Sequence, residues 1–189
     1  MRRPGTPSTR PMSRSDLDAV LELNNAAVPA VNELTMADLE WFAEVAHTFL
    51  VVDRGGGGDG SVAGFLIGLD GPGLDYHSLN YRWFSERYDR FVYVDRIVVA
   101  ESARGRGTGG SLYDAFAVEG RADGHHVMLA EVNLRPPNAG SLRFHRRHGF
   151  VRVGEQDTEG GAKRVTLLAR DLTSGAGPSS PDLAIEPAP

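Results

Sequence analysis

The sequence predicts a single α+β domain on a mixed, largely antiparallel sheet, and three observations carry that expectation. Two pairs of apolar, strand-like runs, 48–53 with 61–69 and 151–156 with 163–170, are each joined by a glycine-bearing connection and read as hairpins. A strand-like run, Phe91 to Val99, passes through a glycine-rich turn directly into a helical stripe, and a further strand, 127–133, follows. At 189 residues, with 41% hydrophobic and 24% charged content, the chain suits one globular domain with a real core.

Residues 1–12 contain three prolines and little that is apolar, so they are expected to be flexible, with any strand there short or absent. The folded body is expected over 13–172, and the Gly/Pro/Ser-rich stretch 173–189 reads as a disordered tail. Ser15-Asp16-Leu17-Asp18 has the form of a helix cap, and Leu17, Val20 and Leu21 make an apolar stripe running to Asn25. Val28-Pro29 breaks that helix, and Thr35-Met36-Ala37-Asp38 opens a second one carrying Leu39, Trp41, Phe42 and Val45. Arg54 to Gly60 joins the first hairpin as a flexible connection. No Gly-Lys-Ser/Thr closes that glycine run and no helix follows it, so it is no phosphate loop.

The segment Asp75–Arg90 has five aromatic residues among sixteen, with Trp83, Phe84, Arg87 and Tyr88 at helical spacing. In the strand 91–99, alternation puts Phe91, Tyr93, Asp95, Ile97 and Val99 on one face. The next helix spans about Arg106 to Arg121, buries Leu112, Phe116 and Ala115, and ends at Gly124. His125 and His126, adjacent on a strand, point to opposite faces and cannot share a metal, so no metal site is assigned. The absence of cysteine excludes disulfides, thiolate ligands and a cysteine nucleophile. With no bilayer-length apolar run and no signal-like start, cytoplasm is the expected location. The net charge of −5 weighs against nucleic acid and towards a cationic partner.

Arg104-Gly105-Arg106-Gly107-Thr108-Gly109-Gly110 organises the chain. Glycines at a strand-to-helix turn bring the backbone close to an anion, the first helical turn has unpaired N–H groups, and two arginines add charge. A phosphate-bearing cofactor is the expected guest. Gly105-x-Gly107-x-x-Gly110 satisfies a dinucleotide fingerprint, with Glu131 about 20 residues further on. A second reading is acetyl-coenzyme A. Arg104-x-x-Gly107-x-Gly109 after Ile97-Val98-Val99-Ala100-Glu101 resembles the pyrophosphate loop of the GCN5-related N-acetyltransferases (GNAT). Asn138-Ala139-Gly140-Ser141-Leu142-Arg143-Phe144-His145, closing on Gly149-Phe150, is similar to that family's second signature, and a dinucleotide fold has no reason to carry it.

The resemblance covers residues 91–172, and more loosely the chain from Ser15. It implies a three-layer arrangement, helices on both sheet faces, and fourth and fifth strands that splay apart. It also implies acetyl-CoA as cofactor, held by the main chain at Ile97, Val98 and Val99, by residues 104–110, and by Asn138, Ser141 and Phe144. Asn138 and Ser141 alternatively cap the helix that follows. By the same resemblance the first two helices overlie the acceptor site, making Asn24, Asn25 and Glu33 candidate contacts beside an ordinary role as cap and loop residues. The 70–90 insertion falls at the acceptor end. Either it is a lid, with Tyr76, Asn80, Tyr81 and Trp83 (and Tyr93 beneath) lining the acceptor site, or its aromatics fill the core or a dimer interface.

Amine acetylation dictates the remaining roles. An alkyl amine with a pKa near ~10.4 is mostly protonated at neutral pH, so a carboxylate base is needed. Asp95 and Glu131 are the candidates, each otherwise a surface or ion-paired acid. A backbone N–H near Val99 is the expected oxyanion donor. Where the family often has a tyrosine acid, this chain has His145, which serves either as that acid or in a cofactor-side hydrogen bond or packing. A thiol pKa near ~8.5 leaves the departing CoA with little need of help. With no cysteine to be acetylated, transfer is expected to be direct. A small amine or amino-acid-like acceptor is favoured, with protein N-terminal or lysine acetylation and a CoA-binding regulatory module as alternatives.

Overall fold

The computed structural model describes residues 8–54 and 61–173. The glycines of the 54–60 connection, residues 1–7 and the tail beyond Thr173 lie outside the described residues. The strands follow the order β1-β2-β3-β4-β5-β7-β6 in one seven-stranded sheet. The chain groups into two compact units, Met1–Leu69 with Asp95–Glu119, and Asp70–Val94 with Gly120–Pro189.

In the first unit, β1 (Thr9–Pro11) pairs antiparallel with β2 (Thr48–Asp53), which pairs antiparallel with β3 (Val62–Gly71). The expectation that 1–12 is flexible gives way at Thr9–Pro11. Three residues suffice because Arg10 fastens the edge, its guanidinium 2.7 Å from Asp16 and 2.6 Å from Asp53. β3 is buried without a break from Val62 to Leu69, as a continuous apolar run on a central strand should be. Helices α1 (Leu17–Asn25) and α2 (Met36–Val45) send Val20, Leu39 and Phe42 into the core. A 3-10 turn, Arg14–Asp16, leads into α1, and its cap is Ser13 rather than Ser15: the Ser13 N–H and Oγ–H both donate to Asp16, at 2.7 and 2.8 Å. The C-terminal half of β4 (Phe91–Val99) and most of α4 (Thr108–Ala122) complete this unit.

In the second unit, β5 (Val127–Arg135) pairs antiparallel with β7 (Lys163–Asp171), and β6 (Val151–Thr158) closes the hairpin with β7. β4 pairs parallel with β5 at Val92↔Met128 and Tyr93↔Leu129. The aromatic insertion forms α3 (Leu79–Ser85), capped by the Ser78 Oγ, which accepts from the Tyr81 N–H at 3.2 Å. Its helix starts earlier than the Trp83–Tyr88 spacing indicated. α5 (Ala139–Arg147) completes the unit. Gly124, at φ 79°, ends α4 as expected; Tyr113 and Ala117 are buried in α4, whereas Ala115 is only half-buried. His125 and His126 lie just ahead of β5, His125 buried and His126 exposed.

Candidate active site

Between β4 and α4 the chain makes a 3-10 turn, Glu101–Ala103, and then the glycine turn. Gly105 and Gly107 have φ of 73° and 86°, and a Cβ on either would meet nothing within 4 Å. Glycine is needed there for backbone conformation, and the turn faces open space. Thr108 is buried, and its hydroxyl donates to the Ala103 carbonyl at 3.3 Å, tying the helix start to the turn before it. α4 therefore begins at Thr108, not Arg106, so the N–H groups of Thr108, Gly109 and Gly110 form its first turn. Arg104 and Arg106 are exposed beside it. Open positive-φ glycines, a fifteen-residue helix N-terminus and two guanidinium groups suit a pyrophosphate. On β4, Ile97 and Val99 are half-buried and Val98 is buried, while the Val99 carbonyl accepts from Arg104 Nε at 3.3 Å.

Asp95 lies on the same strand but is not poised as a base. Its Oδ2 accepts from Arg96 Nε at 2.6 Å, and the two side chains are 4% and 8% exposed. Protonating Asp95 would strand a buried guanidinium, which is costly. Arg96 also donates to the Asn24 Oδ1 at 3.1 Å and the Asn32 carbonyl at 3.3 Å, and lies 5.2 Å over the Phe42 ring. Asn24 is wholly buried, and its amide donates to Asn25 and to the Asn32 carbonyl. It holds the α1–α2 connection and has no exposed surface to offer an acceptor. Asn25 spans the same connection, exchanging hydrogen bonds with the main chain of Leu34, whereas Glu33 is exposed. Arg96 was missed in the sequence, although a charge at an inward position of an apolar strand was a readable signal.

In the second unit Glu131 is half-buried, and the Tyr93 hydroxyl stands 2.9 and 2.8 Å from its two oxygens. Tyr93 itself is 1% exposed, so it does not line an acceptor surface. The insertion is core on this side. Tyr81, Phe84 and Tyr88 are buried, with Tyr81 edge-on to Tyr93 at 5.6 Å and its hydroxyl donating to the Asp70 carbonyl at 2.7 Å. Trp83 covers Gly154 of β6, where a Cβ would come within 2.8 Å of the indole, and the Arg87 guanidinium lies over the indole, 4.1 Å from the ring centroid. The Asn80 Oδ1 accepts from Gln156 at 3.0 Å. Tyr81, Trp83 and Asn80 are thus used to seat α3, while Tyr76 is half-buried, edge-on to Tyr81.

Asn138 caps α5, its Oδ1 accepting from the Ser141 N–H at 3.1 Å. His145 is 3% exposed, and its Nδ1 lies 2.9 Å from the Ser141 carbonyl, to which it donates, and 3.3 Å from the Ser141 Oγ. Burial lowers its pKa to about 4, so the ring is neutral near pH 7 and has no imidazolium proton to give. The acid role therefore does not fit His145, and packing does. Phe144 is half-buried, its ring tilted against that of His148 with centroids 4.5 Å apart.

Residues 17–150 match the model of the acetyltransferase (GNAT) family. An L-methionine sulfoximine/L-methionine sulfone acetyltransferase of Pseudomonas aeruginosa strain PAO1 is 30% identical over 163 residues, 81% of this chain and 85% of that protein. The same holds for the protein of that description in Pseudomonas paraeruginosa strain PA7. Among solved structures, Ard1 from Thermoplasma volcanium superposes with a TM-score of 0.70 at 20% identity, over 90% of this chain and all of that one. yncA from Salmonella typhimurium, solved with its cofactor acetyl-CoA, gives 0.64 at 21% identity over 93% of this chain and 100% of that one. With the strand–turn–helix geometry in place and the family matched over most of its length, the chain belongs to the acetyltransferase (GNAT) family and is an acetyl-CoA-dependent N-acetyltransferase.

Proposed function

We propose that this enzyme acetylates the primary amine of a small, amino-acid-like acceptor by direct attack, with Glu131 as general base. The observation that carries the acceptor class is the 30% identity, over 81% of the chain, to an enzyme named for two methionine derivatives, both α-amino acids. The lid alternative for the insertion lends no support, since Tyr81, Phe84 and Tyr88 are packed inward.

When bound, acetyl-CoA supplies the acetyl group as a thioester. The glycine turn and the first turn of α4 would hold its pyrophosphate, with Arg104 and Arg106 adding charge and Ile97 to Val99 offering main chain. Of the two candidate bases, Asp95 is held by the buried Arg96 guanidinium at 2.6 Å, whereas Glu131 is half-buried and accepts from the Tyr93 hydroxyl. Glu131 takes the proton from the ammonium nitrogen, so that a neutral amine attacks. A β4 N–H near Val99 serves the developing oxyanion. A thiol pKa near ~8.5 makes an added acid dispensable, which suits the neutral His145. Tyr76 stays as an acceptor-side candidate. The enzyme works in the cytoplasm, as the sequence suggests, and a homodimer is compatible with the reading.

The test is CoA release from acetyl-CoA with a panel of L-methionine sulfoximine, L-methionine sulfone, polyamines, and peptides with free N-termini or lysines. Turnover with the amino acids, lost in Glu131→Gln, is the expected result. Turnover with peptides alone would overturn the acceptor class in favour of protein acetylation.

A further inference from the structure

Two buried glycines on β3, Gly64 and Gly68, face α4. A Cβ at Gly64 would lie 3.0 Å from the Thr108 Cγ2, 3.1 Å from the Val98 carbonyl oxygen and 3.4 Å from the Val99 Cγ2. At Gly68 the Phe116 ring fills the corresponding space. Neither glycine has a positive φ, so backbone conformation does not demand glycine at either position. Space alone does. From Gly64 to Gly68 the strand advances about 13 Å, and from Thr108 to Phe116 the helix rises about 12 Å, so the two run side by side with matched spacing. β3 is a track with two notches, and α4 is seated in both.

The notches hold different things. Gly68 receives a ring from the middle of α4. Gly64 lies under the junction of two segments that the cofactor would use, the first residue of α4 and the β4 main chain at Val98 and Val99. Thr108 is 3% exposed there, with its methyl against the notch and its hydroxyl donating to the Ala103 carbonyl at 3.3 Å. The Ala100 N–H donates to the Ala63 carbonyl at 2.9 Å, which fixes β3 beside the same end of β4. We infer that Gly64 is a positioning residue for acetyl-CoA. Having no side chain, it sets how closely the Thr108 turn sits against β4, and thereby where the first-turn N–H groups of α4 meet the pyrophosphate. The inference rests on the reading of the glycine turn as the cofactor site. A methyl at position 64 would press on the Thr108 Cγ2 and on a main-chain oxygen that cannot swing aside, displacing N–H donors whose alignment anion binding needs.

The experiment measures the Kd of free CoA by calorimetry, beside thermal melts of the unliganded protein. It compares wild type, Gly64→Ala, Gly68→Ala, Gly64→Ala with Thr108→Ser, and Arg104→Glu. Both alanine variants should melt lower. Gly64→Ala should weaken CoA binding roughly tenfold, the size of one hydrogen bond to a charged group. Gly68→Ala, two turns from the helix start, should stay within about twofold of wild type. Thr108→Ser removes the Cγ2, keeps the hydroxyl, and should recover part of the affinity lost in Gly64→Ala. Wild-type affinity in Gly64→Ala, or an equal loss in Gly68→Ala, would overturn the inference while leaving the turn as the cofactor site. Wild-type affinity in Arg104→Glu would remove the turn from that site, and the inference with it. Should Gly64→Ala fail to fold, Thr108→Ile adds bulk to the notch from the helix side and should weaken CoA comparably; wild-type affinity there would also overturn the inference.

Discussion

Phe116 of α4 occupies the space that a side chain at Gly68 of β3 would need: a Cβ built there lies 2.3 Å from the ring. Both groups are buried, and the contact sets how closely the cofactor-turn helix lies on the central strand. Gly68→Ala should therefore cost about 1–3 kcal/mol by overpacking. Urea unfolding would show it, and Phe116→Leu in the Gly68→Ala background should recover part of the loss. An additive double variant would mean that the clash is relieved elsewhere.

Asp95 and Glu131 are separable by substitution. Asp95→Asn leaves the buried Arg96 guanidinium without its anionic partner and should lower the melting temperature markedly, with a cost on the order of 3 kcal/mol. Assayed well below its melting point, it should retain kcat within a few-fold of wild type. Glu131→Gln should show the opposite pattern, near-native stability with kcat down about a hundredfold or more. Thermal melts beside steady-state rates decide between the two.

His145 predicts an acid-side loss of stability. Its folded-state pKa is lowered by burial to about 4, from an ordinary value of 6.5. The unfolded chain therefore binds the proton more readily between those values. The group's contribution is fully present above about pH 6.5 and is lost as pH falls through about 4, amounting to roughly 3 kcal/mol in all. His145→Leu should flatten that part of the stability curve while sparing turnover. Asp16, held well below the carboxylate range by hydrogen bonds from Arg10, gives up its share only at lower pH, so the two effects fall in different windows.

The cofactor turn makes a binding prediction. Acetyl-CoA at 100 times its Kd should stabilise the protein by about 2.7 kcal/mol. Arg104→Glu should abolish most of this shift. Gly107→Val should abolish it too, with a cost of about 1–2 kcal/mol in the absence of ligand, because φ is 86° there. A stabilising effect of NAD(P)H in place of the CoA forms would assign the turn to a dinucleotide instead.

Much of the fold was legible because it is local. The hairpin runs, the Thr35–Asp38 cap, the stop at Gly124 and the strand–glycine turn–helix passage depend on neighbours a few residues apart, and on a backbone conformation that glycine alone tolerates cheaply. The polar and aromatic side chains were another matter. Asn24 and Trp83 read equally well as acceptor contacts or as structure, and composition cannot choose between a pocket wall and a core.

By itself, then, the sequence determined the element order, the anion-binding turn and the family, all of which are written in short-range spacing. Tertiary structure alone decided that Asp95 meets a buried guanidinium and Glu131 a buried phenol. Arg96 meets Asn24 across 72 residues, and Tyr93 meets Glu131 across 38. A side chain's charge state and orientation follow from its burial and its partners, and those partners are supplied by strand register and helix docking at long range.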